Sequence, residues 1–124
     1  AKDSISDIDS QIYEVAGVKA IVLKVNDVEM NELRNLGDNL KQKVANGVVV
    51  LASVSGSNVS LLAMAGDEAV SKGIHAGNII KSIATIVGGG GGGRPNMAQA
   101  GGKKAEETDK ALEEAKKVIA EQLA

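Results

Sequence analysis

The chain has 124 residues, suited to one domain, and its 44% hydrophobic content marks a globular core rather than a disordered chain. It holds no cysteine, no Phe or Trp, one tyrosine (Tyr13) and one histidine (His75), which excludes a disulfide framework, an iron–sulfur cluster, a Cys nucleophile and a multi-His zinc centre. The formal charge of −2 conceals segregation: residues 69–105 contain no Asp or Glu but carry Lys72, Lys81, Arg94, Lys103 and Lys104. Charge sorted in this way marks a face for an anionic partner. The apolar runs are far shorter than the roughly 20 residues a bilayer needs, so no membrane partner is expected. The chain opens at Ala1 without a charged-then-apolar leader. A soluble, cytoplasmic module cut from a larger protein is the expectation.

In chain order, Ser10–Val15 reads as a strand that turns at Ala16-Gly17 into a second, Val18–Val25. There Ile21, Leu23 and Val25 share one face with Lys19, Lys24 leaves on the other, and most of both faces is apolar, as in a well-covered strand. A helix is predicted from Asn26 or Asp27, with a stripe of Met30, Leu33, Leu36 or Gly37, Leu40 and Val44, Lys41 and Lys43 near its end and Gly47 as its stop. Val48–Val54 and Val59–Ala65 follow as a hairpin across Ser55-Gly56-Ser57-Asn58. Asp67 starts a short helical turn that ends at Gly73. Ala76–Val87 has helical spacing in Ala76, Ile79, Ile80, Ile83, Ala84 and Val87. After a glycine-rich loop, a last helix runs from about Ala105 to Leu123, with Leu112, Ala115, Ile119 and Gln122 or Leu123 on one stripe and Glu113/Lys117 as a supporting pair. The order β-β-α-β-β-α, glycine loop, α predicts an α+β fold: a largely antiparallel or mixed four-stranded sheet with packed helices, in a single domain over 1–124.

The chemistry is concentrated in the stretch Gly88, Gly89, Gly90, Gly91, Gly92, Gly93, Arg94, Pro95, Asn96, Met97, Ala98, Gln99, Ala100, Gly101, Gly102, which holds eight of the fifteen glycines. Ordering such a run costs more backbone entropy than any other sequence of its length. In return it offers bare backbone N–H groups that can approach a phosphate without side-chain obstruction. Arg94 adds a forked cation suited to phosphate, and Pro95 stiffens the exit. Recognised phosphate motifs do not fit: Gly93 is followed by Arg94-Pro95 rather than Lys-Ser/Thr, and GxGxxG matches trivially inside six glycines that follow a helix. Asp67 and Glu68 read as a helix start. His75 reads as a helix cap or a phosphate contact. Ser53, Ser55, Ser57 and Ser60 bracket a turn with no base beside them. No catalytic constellation emerges.

The residues Gly47-Val-Val-Val-Leu-Ala-Ser53, His75-Ala-Gly77 and, above all, the pattern GGGxGGRPxMAQAGG over Gly88–Gly102 resemble the C-terminal domain of alanyl-tRNA synthetases, which is related to the domain that follows the catalytic part of DHH-family phosphoesterases. The resemblance covers about Val18 to the last helix. It implies a non-catalytic tRNA-binding appendage that contacts the outer corner of the tRNA, where the D- and T-loops meet, and helps aminoacylation and editing act on one bound tRNA. It also implies partners, an alanine-specific tRNA and the catalytic and editing domains of the parent; the long helical segment that supports dimer formation in the family is not in this chain, so a homodimer is only a candidate partner. The ATP-binding and zinc-containing domains of such a parent lie outside this chain, so no cofactor is expected within it. The near-absence of aromatics argues against base stacking and fits a folded RNA corner approached by backbone.

The RNA surface expected on these grounds comprises Lys81, Gly88–Gly93, Arg94, Asn96, Gln99, Lys103 and Lys104. Two rival readings are the tail of a free-standing alanyl-tRNA editing hydrolase, and a dimerisation module using the apolar stripe of the Glu106–Ala124 helix.

Overall fold

A computed structural model describes residues 12–123. The elements are β1 (Tyr13–Val15), β2 (Val18–Asn26), α1 (Met30–Lys43), β3 (Val48–Ser55), β4 (Asn58–Ala65), α2 (Asp67–Ser71), α3 (Ala76–Ala84), β5 (Gly90–Gly93), β6 (Met97–Gly102) and α4 (Thr108–Leu123), the last preceded by a 3-10 turn at Ala105–Glu107. They form one mixed sheet in the order β1-β2-β3-β4-β6-β5. Only β2 and β3 run parallel, joined by the crossover through α1, and every other neighbouring pair is antiparallel. The α+β class is as expected. The sheet has six strands instead of four, because the predicted glycine loop is a hairpin, β5-β6.

Period-two alternation divides the core. Val18, Ala20, Val22, Val48, Val50, Ala52, Leu61, Ala63 and Ala98 face the layer made by α2, α3 and α4. Ile21, Val49, Leu51, Leu62 and Met64 face α1, packing on Leu33, Leu40 and Val44. Among the described residues no buried side chain is larger than Leu, Ile or Met, so branched aliphatics supply the interior volume.

Several boundaries move for physical reasons. Ser10 and Gln11, the start of the first predicted strand, lie outside the described residues. The turn at Ala16-Gly17 has both central residues at positive φ (51° and 83°), the type I′ geometry that matches strand twist. Helix α1 starts at Met30 rather than Asn26 or Asp27: Asp27 has φ 55° and its N–H donates to the Val54 carbonyl, prolonging the β2–β3 ladder. Ser53 then holds Val28, accepting from its N–H at 3.0 Å and donating to its carbonyl at 2.7 Å. Helix α3 ends at Ala84, and the buried Val87 turns its carbonyl to accept from both the Lys103 and Lys104 amides. In α4, Glu113 pairs with Lys116 at 3.5 Å, one residue short of the expected Lys117.

Candidate nucleic-acid interface

The glycine hairpin forms one edge of the sheet. Among the described residues β5 pairs with β6 alone, Gly90 opposite Gly101, Gly91 opposite Ala100, Gly92 opposite Gln99 and Gly93 opposite Ala98. With no side chains on β5, α3 packs directly onto the strand. A Cβ on Gly77 would lie 2.7 Å from the Gly93 carbonyl oxygen, so glycine is required on the helix at that crossing.

The Arg94-Pro95-Asn96 segment is the turn of this hairpin, and all three of its carbonyls are engaged. The Arg94 N–H donates to Met97, and three carbonyls point outward to other elements. Pro95 accepts from the Ala76 N–H at 2.8 Å, Arg94 from the Gly77 N–H at 3.1 Å, and Asn96 from the Ala65 N–H at 3.0 Å. The next donor of α3, the Asn78 N–H, goes to His75 Nδ1 at 3.1 Å. His75 is therefore the cap of α3, and the first-turn donors that would otherwise be open to an anion are used within the protein.

Four cations of the acid-free segment lie along the hairpin. Lys81, on α3, brings its side-chain stem to Gly92, with Cγ 3.8 Å from where a Cβ would stand. Lys104 lays its stem across Gly88, whose φ of 72° opens the turn into β5. Lys103 borders a groove of about 300 Å³ with Gly88, Gly89, Gly101, Gly102, Asn58 and Ser60. Arg94 and Asn96 are exposed at the opposite, turn end. The six residues of β6 separate the two ends by roughly 20 Å at strand rise. None of the Lys81, Arg94, Lys103 or Lys104 side chains has an ion pair or hydrogen bond among the described residues.

Not every expected residue joins this surface. Gln99 sits opposite Leu62 in β4 and shares the α1 side of the sheet with Met97, half-buried. Lys72, the fifth cation, lies elsewhere, its Nζ over the Gly17 turn beside a recess of about 100 Å³ that Glu14, Lys19 and Glu68 also line. Sequence reasoning named Gly77 in the His75-Ala-Gly77 motif and Gln122 on the last helix but missed their roles: Gly77 lets α3 cross β5, and the Gln122 side-chain amide holds His75 from α4. No local signal distinguishes either one, since both roles depend on partners far away in the chain.

Among the described residues no three His, Asp or Glu side chains converge as a metal site, and no helix is long and apolar enough to cross a membrane. The apolar stripe of α4 is spent on the core: Ala111, Leu112, Ala115, Val118 and Ile119 are buried there.

The DHHA1 domain model matches residues 17–121. The chain is 54% identical over 123 residues to alanine–tRNA ligase 1 of Lachnoclostridium phytofermentans and 50% identical over 121 residues to the alanine–tRNA ligase of Acetivibrio thermocellus, covering 99% and 98% of this chain. It spans about 14% of the length of each of these relatives. The C-Ala domain from Aquifex aeolicus alanyl-tRNA synthetase superposes with a TM-score of 0.79 at 30% identity, over 88% of this chain and 97% of that one. The chain belongs to the DHHA1 domain family, among the C-terminal C-Ala domains of alanyl-tRNA synthetases.

Proposed function

We propose that the chain is a non-catalytic tRNA-binding domain of an alanine–tRNA ligase, that it contacts the outer corner of the tRNA, and that it helps couple aminoacylation with editing. The observation that carries this reading is the group Lys81, Arg94, Lys103 and Lys104: four cations unpaired among the described residues, along a strand without side chains, all from the acid-free segment 69–105. Bare backbone lets a phosphate chain come close, and the cations supply sequence-independent attraction. Four charges give weak affinity by themselves, so tethering to the aminoacylation and editing domains of a parent raises the effective concentration of the bound tRNA. The chain needs no cofactor for this role. Ser53 and His75, which carry the chemistry of a nucleophile and a base, both hold backbone groups in the fold.

The ligase relatives favour a synthetase as parent over a free-standing editing hydrolase. Burial of the α4 stripe in the core supports the tRNA-binding reading over a dimerisation module built on that stripe.

Titration with tRNA at two salt concentrations tests the reading. Replacing Lys81, Arg94, Lys103 or Lys104 by Ala weakens binding for all tRNAs alike and lowers the salt slope by roughly one unit for each phosphate no longer neutralised. The double change Lys19→Ala with Lys41→Ala, on β2 and α1, serves as control. Loss of binding in the control pair with none in the hairpin variants places the interface elsewhere.

A further inference from the structure

We infer that Gln122, at the end of α4, is a positioning residue that latches the Arg94-Pro95 turn in place, and that through this latch the C-terminal helix sets the grip of the glycine hairpin on RNA. The RNA half of this statement rests on the function proposed above.

The latch is a continuous series of hydrogen bonds. Gln122 Oε1 accepts from the His75 N–H at 2.9 Å, and Gln122 Nε2 donates to the His75 carbonyl at 3.2 Å. One side-chain amide thus holds both backbone groups of a single residue 47 positions away. His75 is the cap of α3, and its carbonyl also accepts from the Ile79 N–H at 3.1 Å. Its place decides where the next two amides point. Those amides, Ala76 and Gly77, donate to the Pro95 and Arg94 carbonyls. Gln122 thereby reaches Arg94 through His75 and the first turn of α3 without touching it. Close approach supports the same joint: Gly73 runs against the Gln122 carbonyl, where a Cβ would collide, and its φ of 118° suits only glycine. The Gly77–Gly93 crossing lies within that first turn.

The cost of losing one end is asymmetric. Gln122→Ala leaves the partly buried His75 N–H without its partner, whereas the His75 carbonyl keeps the Asn78 and Ile79 N–H donors and the α4 stripe stays in the core. The first turn of α3 loosens, and the Arg94 side chain is no longer presented at one position.

The test compares the parent domain with Gln122→Ala, Arg94→Ala, the double variant, and Glu121→Gln as an exposed neighbour outside the latch. The domain is a workable unit, since the related C-Ala domain, 97% of which this chain covers, has been solved. Amide hydrogen exchange decides the latch whether or not RNA binds: Gln122→Ala speeds exchange at Ala76 and Gly77 while the β3 and β4 amides keep their protection. Unchanged protection at Ala76 and Gly77 overturns it, as does an equal response to Glu121→Gln. Titration with tRNA decides the routing: Gln122→Ala weakens binding about three- to tenfold and adds nothing in the Arg94→Ala background, as expected of residues acting through one another. Additive losses, or an Arg94→Ala variant that binds like the parent, overturn the routing through Arg94. Failure of the RNA reading has its own signature, a parent domain without salt-dependent tRNA binding, and leaves the exchange result to stand.

Discussion

Gly77 and Gly93 touch backbone to backbone: the Gly93 carbonyl oxygen occupies space 2.7 Å from where a Cβ on Gly77 would sit. This crossing lets α3 lie on the edge strand and lets the Arg94 and Pro95 carbonyls reach the helix amides. It also reverses an ordinary rule. Gly→Ala inside a helix normally stabilises by about 0.5–1 kcal/mol. Gly77→Ala instead destabilises the domain by about 1–3 kcal/mol, because the helix has to back away from β5. Urea unfolding measures this as a lower midpoint at unchanged m-value; a higher midpoint would show that α3 does not rest on the strand.

The glycines of β5 are not equivalent. A Cβ on Gly90 meets nothing within 4 Å, whereas one on Gly91 collides with the Ala100 side chain. Gly90→Ala changes stability by no more than about 0.5 kcal/mol, and Gly91→Ala costs about 1–3 kcal/mol. Gly90 is therefore the position at which to test backbone approach to RNA. Gly90→Val, folded by its thermal melt, weakens tRNA binding more than loss of one lysine does. Binding at parent strength would mean that the RNA does not approach this strand.

The helices and the first four strands were legible because their signals are local: periods of 3.6 in Leu33, Leu40 and Val44 or Ile79, Ile80 and Ile83, and apolar runs in Val48–Val54 and Val59–Ala65. The edge hairpin was not. Glycine has no strand propensity and no side chain to show a period, so Gly90–Gly93 carries no sign of its pairing with Met97–Gly102. That strand exists because β4 offers β6 an edge and α3 covers β5, both tertiary causes. The candidate site was legible in composition, through the missing acids and the glycine run, but not in geometry. Pairing register put Gln99 on the α1 side, and Lys72 went to the Gly17 turn.

Ser53 illustrates how a residue without catalytic partners is still fixed. It is 2% exposed and satisfies both backbone groups of Val28, the link between β2 and α1. Ser53→Ala leaves an N–H and a carbonyl without their partner and costs about 1–3 kcal/mol. Ser60, half-buried one strand away and lining the Lys103 groove, provides the comparison: Ser60→Ala stays within about 0.5 kcal/mol. Equal losses in paired urea titrations would remove the special role of the Val28 contact.

Tyr13, the single aromatic residue, buries a hydroxyl that has no hydrogen-bond partner among the described residues. Desolvation raises its pKa above the ordinary value of 10.0, because burial penalises the phenolate. The sign for stability follows directly. Below pH 10 both folded and unfolded chains hold the proton and the group contributes no pH dependence. Above it the unfolded chain deprotonates first, so stability falls as pH rises toward and through the folded pKa. Tyr13→Phe removes the orphaned hydroxyl and with it this decline. The variant is therefore as stable as the parent at pH 7, or more stable by up to about 1 kcal/mol, and its advantage widens with each step above pH 10. Because no other tyrosine is present, phenolate absorbance follows this one group in the intact protein. Its midpoint in the folded chain lies above that in urea. Coincident midpoints would show that the hydroxyl reaches water and that the alkaline decline has another source.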